Sequence, residues 1–470
     1  MARSKTVKNI AIYSVMAIFQ KGISFFLVPL YTILLSPQEF GLVNQIIAIT
    51  SFFILLFNFA LDEAAVRLYF PLRKYKARSK KVLGTIVLTS MVIAVLGGII
   101  LFVLKDYIFI FFVKEISLSL IILSVLIIGS SPLFVIYQKL LRIQEKAKHY
   151  TFLSLFFTLI QIGLSVFFIV VLDLNALGYL LAITITNLIF FVVSLGYLKN
   201  EIYWQIDVQI LKNALRYGLK IIPHSLSGWF SKGFTIITIG QISGSFLVGV
   251  FNAMNFLSII INVMAKAVMD AFQPWIYTKL EEPETNKNLL FEVSKFMGLI
   301  VVLAGFFLSL FSAELIKTFI NNSYHTEFHI VPILLYSAII LFIGSLLVYV
   351  LYYDKSKTYL IGVSSFIGAI INVILCLWLI PKFSLLGAAL SVSIANTITA
   401  VVKQYYASKV LRSNNYLLDL YLFAIMNAFI AYFSMESDLG VRICYFVFEV
   451  VVIYLLYRTL LHSFILKLRA

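Results

Sequence analysis

The sequence predicts an all-α polytopic membrane protein with 14 transmembrane helices. Three observations carry that prediction. Of its 470 residues, 61% are hydrophobic and only 12% charged, and the mean hydropathy is +1.00; a soluble chain of this length cannot bury so much apolar surface. Runs of about 20 apolar residues, the length that crosses a bilayer core, recur along the whole chain. No polar stretch is long enough to form a soluble domain.

The elements follow in order. A basic tail, MARSKTVKN, precedes an apolar run of roughly 25 residues. A secretory signal has a shorter apolar core and a small-residue cleavage site, so a retained first helix is expected at 10–34. Spans at 40–61, 82–104, 116–138, 151–172 and 175–198 complete a first set of six. A second set lies at 216–240, 246–269, 293–311, 330–353, 358–380 and 385–406, and a final pair at 416–433 and 441–460. Asp207 is placed to N-cap an amphipathic stretch, 208–215, lying in the membrane interface. The expected domains are a six-helix bundle over 1–200, a cytoplasmic interfacial linker over 201–215, a second bundle over 216–412, and helices 13 and 14 over 413–470.

Charge sets the orientation. Of the 37 Lys and Arg residues, 29 fall in the tails and even-numbered connections, against five in the odd ones: Lys105, Lys114, Lys317, Lys382 and Arg442. The positive-inside rule then places both termini in the cytoplasm. The same distribution explains the net charge of +16 without a nucleic acid partner. Cys376 and Cys444 lie in apolar runs and read as buried free thiols. His325-x-Glu327-x-His329 lacks a third ligand, so no metal is expected. There is no Walker motif and no nucleophile constellation, so neither a cofactor nor an enzymatic activity is expected.

The chain also repeats itself. At offset 209, Tyr150, Gly178, Asn187 and Tyr197 meet Tyr359, Gly387, Asn396 and Tyr406. At offset 208, Gly41, Asn44, Asp62 and Tyr69 meet Gly249, Asn252, Asp270 and Tyr277. At offset 211, Ser14, Lys21, Gly22 and Ser24 meet Ser225, Lys232, Gly233 and Thr235. A six-helix repeat is even, so the copies are parallel and a site is expected near mid-membrane between them. Lys21 and Lys232 sit deep in helices 1 and 7, where a charge costs about 2.5 kcal/mol or more. Facing a wet cavity, they would make a basic site for an anion. Ser14, Lys21 and Ser24 span about 80° of one helix, and Ser225, Lys232 and Thr235 the same arc of the other. Polar stripes run along helix 2 (Asn44, Ser51, Asn58, Asp62) and helix 8 (Asn252, Asn255, Asn262, Lys266, Asp270), placed either to line a cavity or to bond helices together. His224, Asp62 and Asp270 are the candidates for ion coupling; the two aspartates could instead pair with Arg67, Lys266 or another nearby basic residue.

The stretch FFLVPLYTILLSPQEFGLVNQ (25–45), then EAAVRLY (63–69), closely resembles the N-terminal signature of the Wzx-type polysaccharide flippases. These belong to the multidrug/oligosaccharidyl-lipid/polysaccharide exporter superfamily, with the lipid II flippase and the multidrug-and-toxin extrusion proteins. YGLKIIPHSLSGWFSKGFTII (217–237) resembles the start of that family's second half. The resemblance covers essentially the whole chain. It implies two six-helix bundles in a V around a central cavity, in a bacterial cytoplasmic membrane. It also implies transport of an undecaprenyl-(di)phosphate-linked oligosaccharide or polymer (an O-antigen, capsule or teichoic-acid precursor) from the inner to the outer leaflet. Membrane lipid and a polymerase or glycosyltransferases of the same pathway are the further partners it implies; a monomer is expected. One departure matters: many relatives carry an Asp-Arg pair near the positions of Lys232-Gly233, and this chain lacks the acid. The rival reading is a multidrug exporter of organic cations, which the deep basic charges disfavour; a passive scramblase is a third.

Overall fold

The computed structural model describes residues 22–23, 25–113, 116–281, 287–354, 356–411 and 417–469, and every regular element among them is helical. Among the described residues nine helices are long and apolar enough to cross a membrane, with four shorter apolar helices beside them. The chain is an all-α polytopic membrane protein. It divides into two compact units, residues 34–249 and the described parts of 21–33 and 250–470.

Helix α1 (Phe25–Leu34) packs in the second unit. The first unit opens with α2 (Pro37–Asn58) and α3 (Leu61–Leu72). SPQE starts α2: Ser36 Oγ accepts the Glu39 N–H, the Glu39 carboxylate accepts the Ser36 N–H at 2.9 Å, and Pro37 needs no partner for its nitrogen. Between α2 and α3, Phe59 and Ala60 both adopt left-handed backbone, with φ of 48° and 51°. Neither is glycine, and each costs about 1–2 kcal/mol there. The expected single helix over 40–61 therefore ends early, and Asp62 falls in the first turn of a new helix.

Then come α4 (Lys76–Val103), α5 (Lys105–Phe112), α6 (Leu118–Ile143), α7 (Ala147–Val166, extended by one π turn, Phe167–Val171) and α8 (Asn175–Leu198). The last is α9 (Val208–Ser243). Asp207 caps it, accepting the N–H groups of Gln209 and Ile210 at 2.9 and 3.0 Å. The stretch 208–215 is not a separate segment; it forms the first two turns of this 36-residue helix. Leu61, Leu83, Ile86, Tyr137 and Leu141 form one buried core of the unit. Lipid gives helices little hydrophobic reason to associate, so small residues and interhelical hydrogen bonds matter more. A Cβ on Gly41 would lie 1.7 Å from the Ser245 carbonyl oxygen, and one on Gly249 would lie 2.0 Å from that of Pro37. The contact is reciprocal between residues aligned by the repeat. Likewise Ser131 donates to Asn187 at 3.0 Å on α6 and α8.

The second unit holds α10 (Ser245–Met254, begun in the first unit), α11 (Phe256–Glu281), α12 (Lys287–Leu310) and α13 (Ser312–Phe319). It continues with α14 (Ile330–Ser345), α15 (Val348–Tyr353), α16 (Tyr359–Leu411), α17 (Leu418–Phe433) and α18 (Leu439–Arg469). Asn396 of α16 donates to Ser337 of α14 at 2.7 Å, matching the bond made by its repeat mate Asn187. The expected helix over 246–269 breaks at Asn255. Helix α16 kinks at Ser384 (φ 49°), three residues past Pro381, and so contains two expected spans.

Ion pairs fasten α17 and α18 to the unit. Lys295 of α12 pairs with Asp419 of α17 at 2.7 Å, and Tyr457 of α18 donates to the same carboxylate. Toward the other end of α18, buried Arg442 forks onto Glu314 of α13 at 2.9 and 2.6 Å and donates to the Leu310 carbonyl at 3.0 Å. Burial raises the Glu314 carboxyl. The hydrogen bond and charge of Arg442, with a backbone N–H and Lys317, outweigh it and hold the group below its ordinary 4.5. The resulting stabilisation is full above pH 4.5 and fades as pH falls through the lowered value. Glu314→Gln should cost about 3 kcal/mol at neutral pH, leaving Arg442 unpaired. It should also flatten the acid decline of the melting temperature in detergent; equal acid sensitivity in the two proteins would refute the pair.

Candidate substrate site and its ion pairs

Lys21, Ser14 and Ser24 lie outside the described residues. Their counterparts lie on α9, which is long but too polar to be counted among the apolar spans. Lys232 is exposed, Ser225 half-buried and Thr235 buried. The expected arc is thus not uniformly open. At about 1.5 Å per residue, Lys232 lies about 16 Å along the helix axis from the end of α9 at Ser243.

Packing against α2 and the α2–α3 break holds α9 in place. The Trp229 indole N–H donates to the Ala48 carbonyl at 2.9 Å, and its ring lies 4.6 Å from that of Phe52. That same indole covers Gly233, where a Cβ would lie 2.4 Å from Nε1. Gly218 meets the left-handed bend: a Cβ there would lie 2.0 Å from the Phe59 carbonyl oxygen. Lys232, one turn on from Trp229 and next to Gly233, flanks this packed face and is exposed. Among the described residues no carboxylate is ion-paired to it.

The polar stripe of α2 is partly committed. Asn44 donates to the Phe40 carbonyl at 2.7 Å, and Ser51 to that of Ala48 at 2.8 Å. Asn58 donates to Asp62 Oδ1 at 2.6 Å. Lys139 of α6 holds Asp62 Oδ2 and also reaches Glu63 Oε1 at 2.7 Å. The partner of Asp62 is therefore Lys139, not Arg67. In the second unit Asn252 and Asn255 are half-buried, Asn255 at the break between α10 and α11. Asn262 donates to the Ser258 carbonyl at 2.8 Å. Lys266 and Asp270 pair one helical turn apart. His224 is exposed on α9, beside Pro223. Asp207 pairs with Lys81 at 2.7 Å; the Lys81 hydrogen bond, then that from Ile210, hold its carboxyl below the usual carboxylate range.

Two features escaped the sequence reading. Lys139 was counted only as a loop cation. Glu449 of α18 and Asn427 of α17 are 3% and 2% exposed; the signal for Glu449 was a lone carboxyl in the last apolar run. Among the described residues no His, Cys, Asp and Glu cluster could hold a metal ion.

The family described as polysaccharide biosynthesis protein matches residues 32–329. The capsular polysaccharide biosynthesis protein CapF of Staphylococcus aureus is 23% identical over 215 residues, which are 45% of this chain and 54% of that protein. The chain thus spans about half the length of this curated relative. Among solved structures, a lipid II flippase, MurJ, in an inward closed conformation aligns with a TM-score of 0.69 at 16% identity, over 95% of this chain and 99% of the other. An inward-facing multidrug resistance MATE family transporter of the MOP superfamily gives 0.59 at 15% identity, over 85% and 96%. At these identities the likeness shows the fold alone, one shared with that flippase and that transporter.

Replacing Lys139 by Met strands the carboxylate of Asp62 beside a strained bend. A loss of about 3 kcal/mol is expected, with most of it recovered in the Asp62→Asn/Lys139→Met double variant. Additive losses in a thermal-melting double-mutant cycle would show that the two side chains do not act as a pair.

Proposed function

We propose that this chain, which belongs to the polysaccharide biosynthesis protein family, is a flippase for a glycan linked to undecaprenyl phosphate or diphosphate. The polar head crosses from the inner to the outer leaflet by alternating access while the prenyl tail stays in lipid. In this reading the chain has fourteen spans: two parallel six-helix repeats around a central cavity, and two further helices. Both termini are cytoplasmic.

The observation that carries the proposal is Lys232, an exposed ammonium without an ion-pair partner among the described residues, far along a helix otherwise bedded on α2. A charge within a membrane span needs water or a counter-ion. Lys21, its repeat mate, supplies the second charge. Ammonium groups act as point charges, which suits a moving phosphate better than a rigid bidentate fork. Ser225, Asn252, Asn255 and Asn262 offer exchangeable hydrogen bonds to sugar hydroxyls. A membrane potential negative inside drives each exported negative charge by about 2.3 kcal/mol per 100 mV, so a diphosphate gains roughly 4–5 kcal/mol. Asp62 and Asp270 already hold cations, Lys139 and Lys266; either couples transport to ions only by exchanging that partner.

The test uses proteoliposomes loaded with a fluorescent polyprenyl-diphosphate oligosaccharide. Directed flipping should fall at least tenfold in Lys232→Gln and further in Lys21→Gln/Lys232→Gln. Unchanged flipping by a folded double variant would overturn the phosphate role. Efflux of a cationic dye by the wild type would favour the multidrug exporter instead.

A further inference from the structure

The exposed face of α9 does not stop at Lys232. Stepping back four residues at a time gives Gly228, His224, Lys220, Arg216 and Lys212, and every one of these positions is exposed. Between them Ala214, Gly218 and Ser227 are buried, while Asn213, Leu219 and Pro223 are exposed as well. Residues four apart on a helix are neighbours, with Cβ atoms about 5–6 Å apart. The row therefore forms one continuous ridge that winds about 40° per step, about 200° in all, passing from one side of α9 to nearly the opposite one as it rises about 30 Å from Lys212 to Lys232. It begins in the first turns of α9, at the end that the charge count assigns to the cytoplasm.

Three further observations bear on it. Residues 208–243 contain no Asp or Glu. Among the described residues no ion pair reaches Lys212, Arg216, Lys220 or Lys232, although paired cations occur elsewhere, as at Lys81 and Lys139. At Gly228 an added Cβ would meet nothing within 4 Å, so the ridge runs through open space there.

We infer that this ridge is a track for the phosphate end of the lipid-linked glycan, along which Lys212, Arg216 and Lys220 capture it and pass it by His224 and Gly228 to Lys232. The inference rests on the flippase reading and assigns a loading role to residues outside the deep site. A diphosphate can touch two consecutive steps at once, so it need not shed all its contacts before moving on. Gly228 keeps the ridge clear where the sugars must pass. Because the outer cations are solvated, capture is long-ranged and weakened by salt. Continuity of α9 from its cap at Asp207 through Lys232 places loading and deep residues on one rigid rod.

The same proteoliposome assay tests it, on variants with wild-type melting temperatures. The Lys212→Gln/Arg216→Gln/Lys220→Gln variant should raise KM about tenfold with kcat retained, and should lose most of the salt dependence of kcat/KM. Arg216→Lys should behave as wild type. Gly228→Phe, placed in open space, should lower kcat severalfold without loss of stability. Wild-type KM and salt dependence in the triple variant, with Lys232→Gln still inactive, would sink the track and leave the flippase reading standing. Full activity in Lys232→Gln as well would sink both.

Discussion

Lys232, an exposed ammonium on α9 with which no carboxylate pairs among the described residues, is the constraint from which the proposed function follows. In hydrocarbon such a charge costs several kcal/mol, and the usual remedy, a neighbouring carboxylate, is missing at Lys232 among the described residues. The protein applies that remedy freely elsewhere: Lys139 holds Asp62 and Glu63, Lys295 holds Asp419, and Arg442 holds Glu314. An acid beside Lys232 would lower the cost of burial and also compete with any anionic cargo.

Such a residue needs a scaffold that fixes the helix without touching the charge. Helix α9 achieves this with one polar anchor, the Trp229 N–H on the Ala48 carbonyl, and with glycines that bring its backbone against its neighbours. Gly218 fits under the left-handed bend at Phe59 and Ala60, and the Asp62–Lys139 pair sits one turn beyond that bend. A strained, non-glycine bend persists only where its surroundings over-determine it. Here the surroundings are a glycine contact and a neutralised carboxylate.

Much of this was legible in the sequence because hydropathy and short-range chemistry speak directly. The apolar runs gave the helices, Asp207 gave α9 its cap, and the repeat aligned Asn187 with Asn396, both of which bond across helices in the structure. What stayed hidden depended on distance. Nothing local marks Phe59 and Ala60 as a bend, since neither is Gly or Pro; the reason lies 158 residues on, at Gly218. Asn255 breaks α10 from α11 inside a run of helix-compatible residues. Of the partners offered for the two aspartates, Lys266 does hold Asp270, one turn away, whereas Asp62 is held by Lys139, 77 residues off, and not by Arg67. The four-residue spacing of basic residues on α9 is visible in the sequence, but only the structure shows that each of those positions is exposed.

Accessibility at position 232 tests the central claim most directly. In a cysteine-free background, with Cys376 and Cys444 replaced, Lys232→Cys is treated with a small anionic thiol reagent in the presence and absence of a polyprenyl diphosphate. Fast labelling that the diphosphate slows at least severalfold is the result expected of a wet, anion-attracting site. Labelling only by an apolar maleimide, indifferent to the diphosphate, would place that position against lipid and contradict the account.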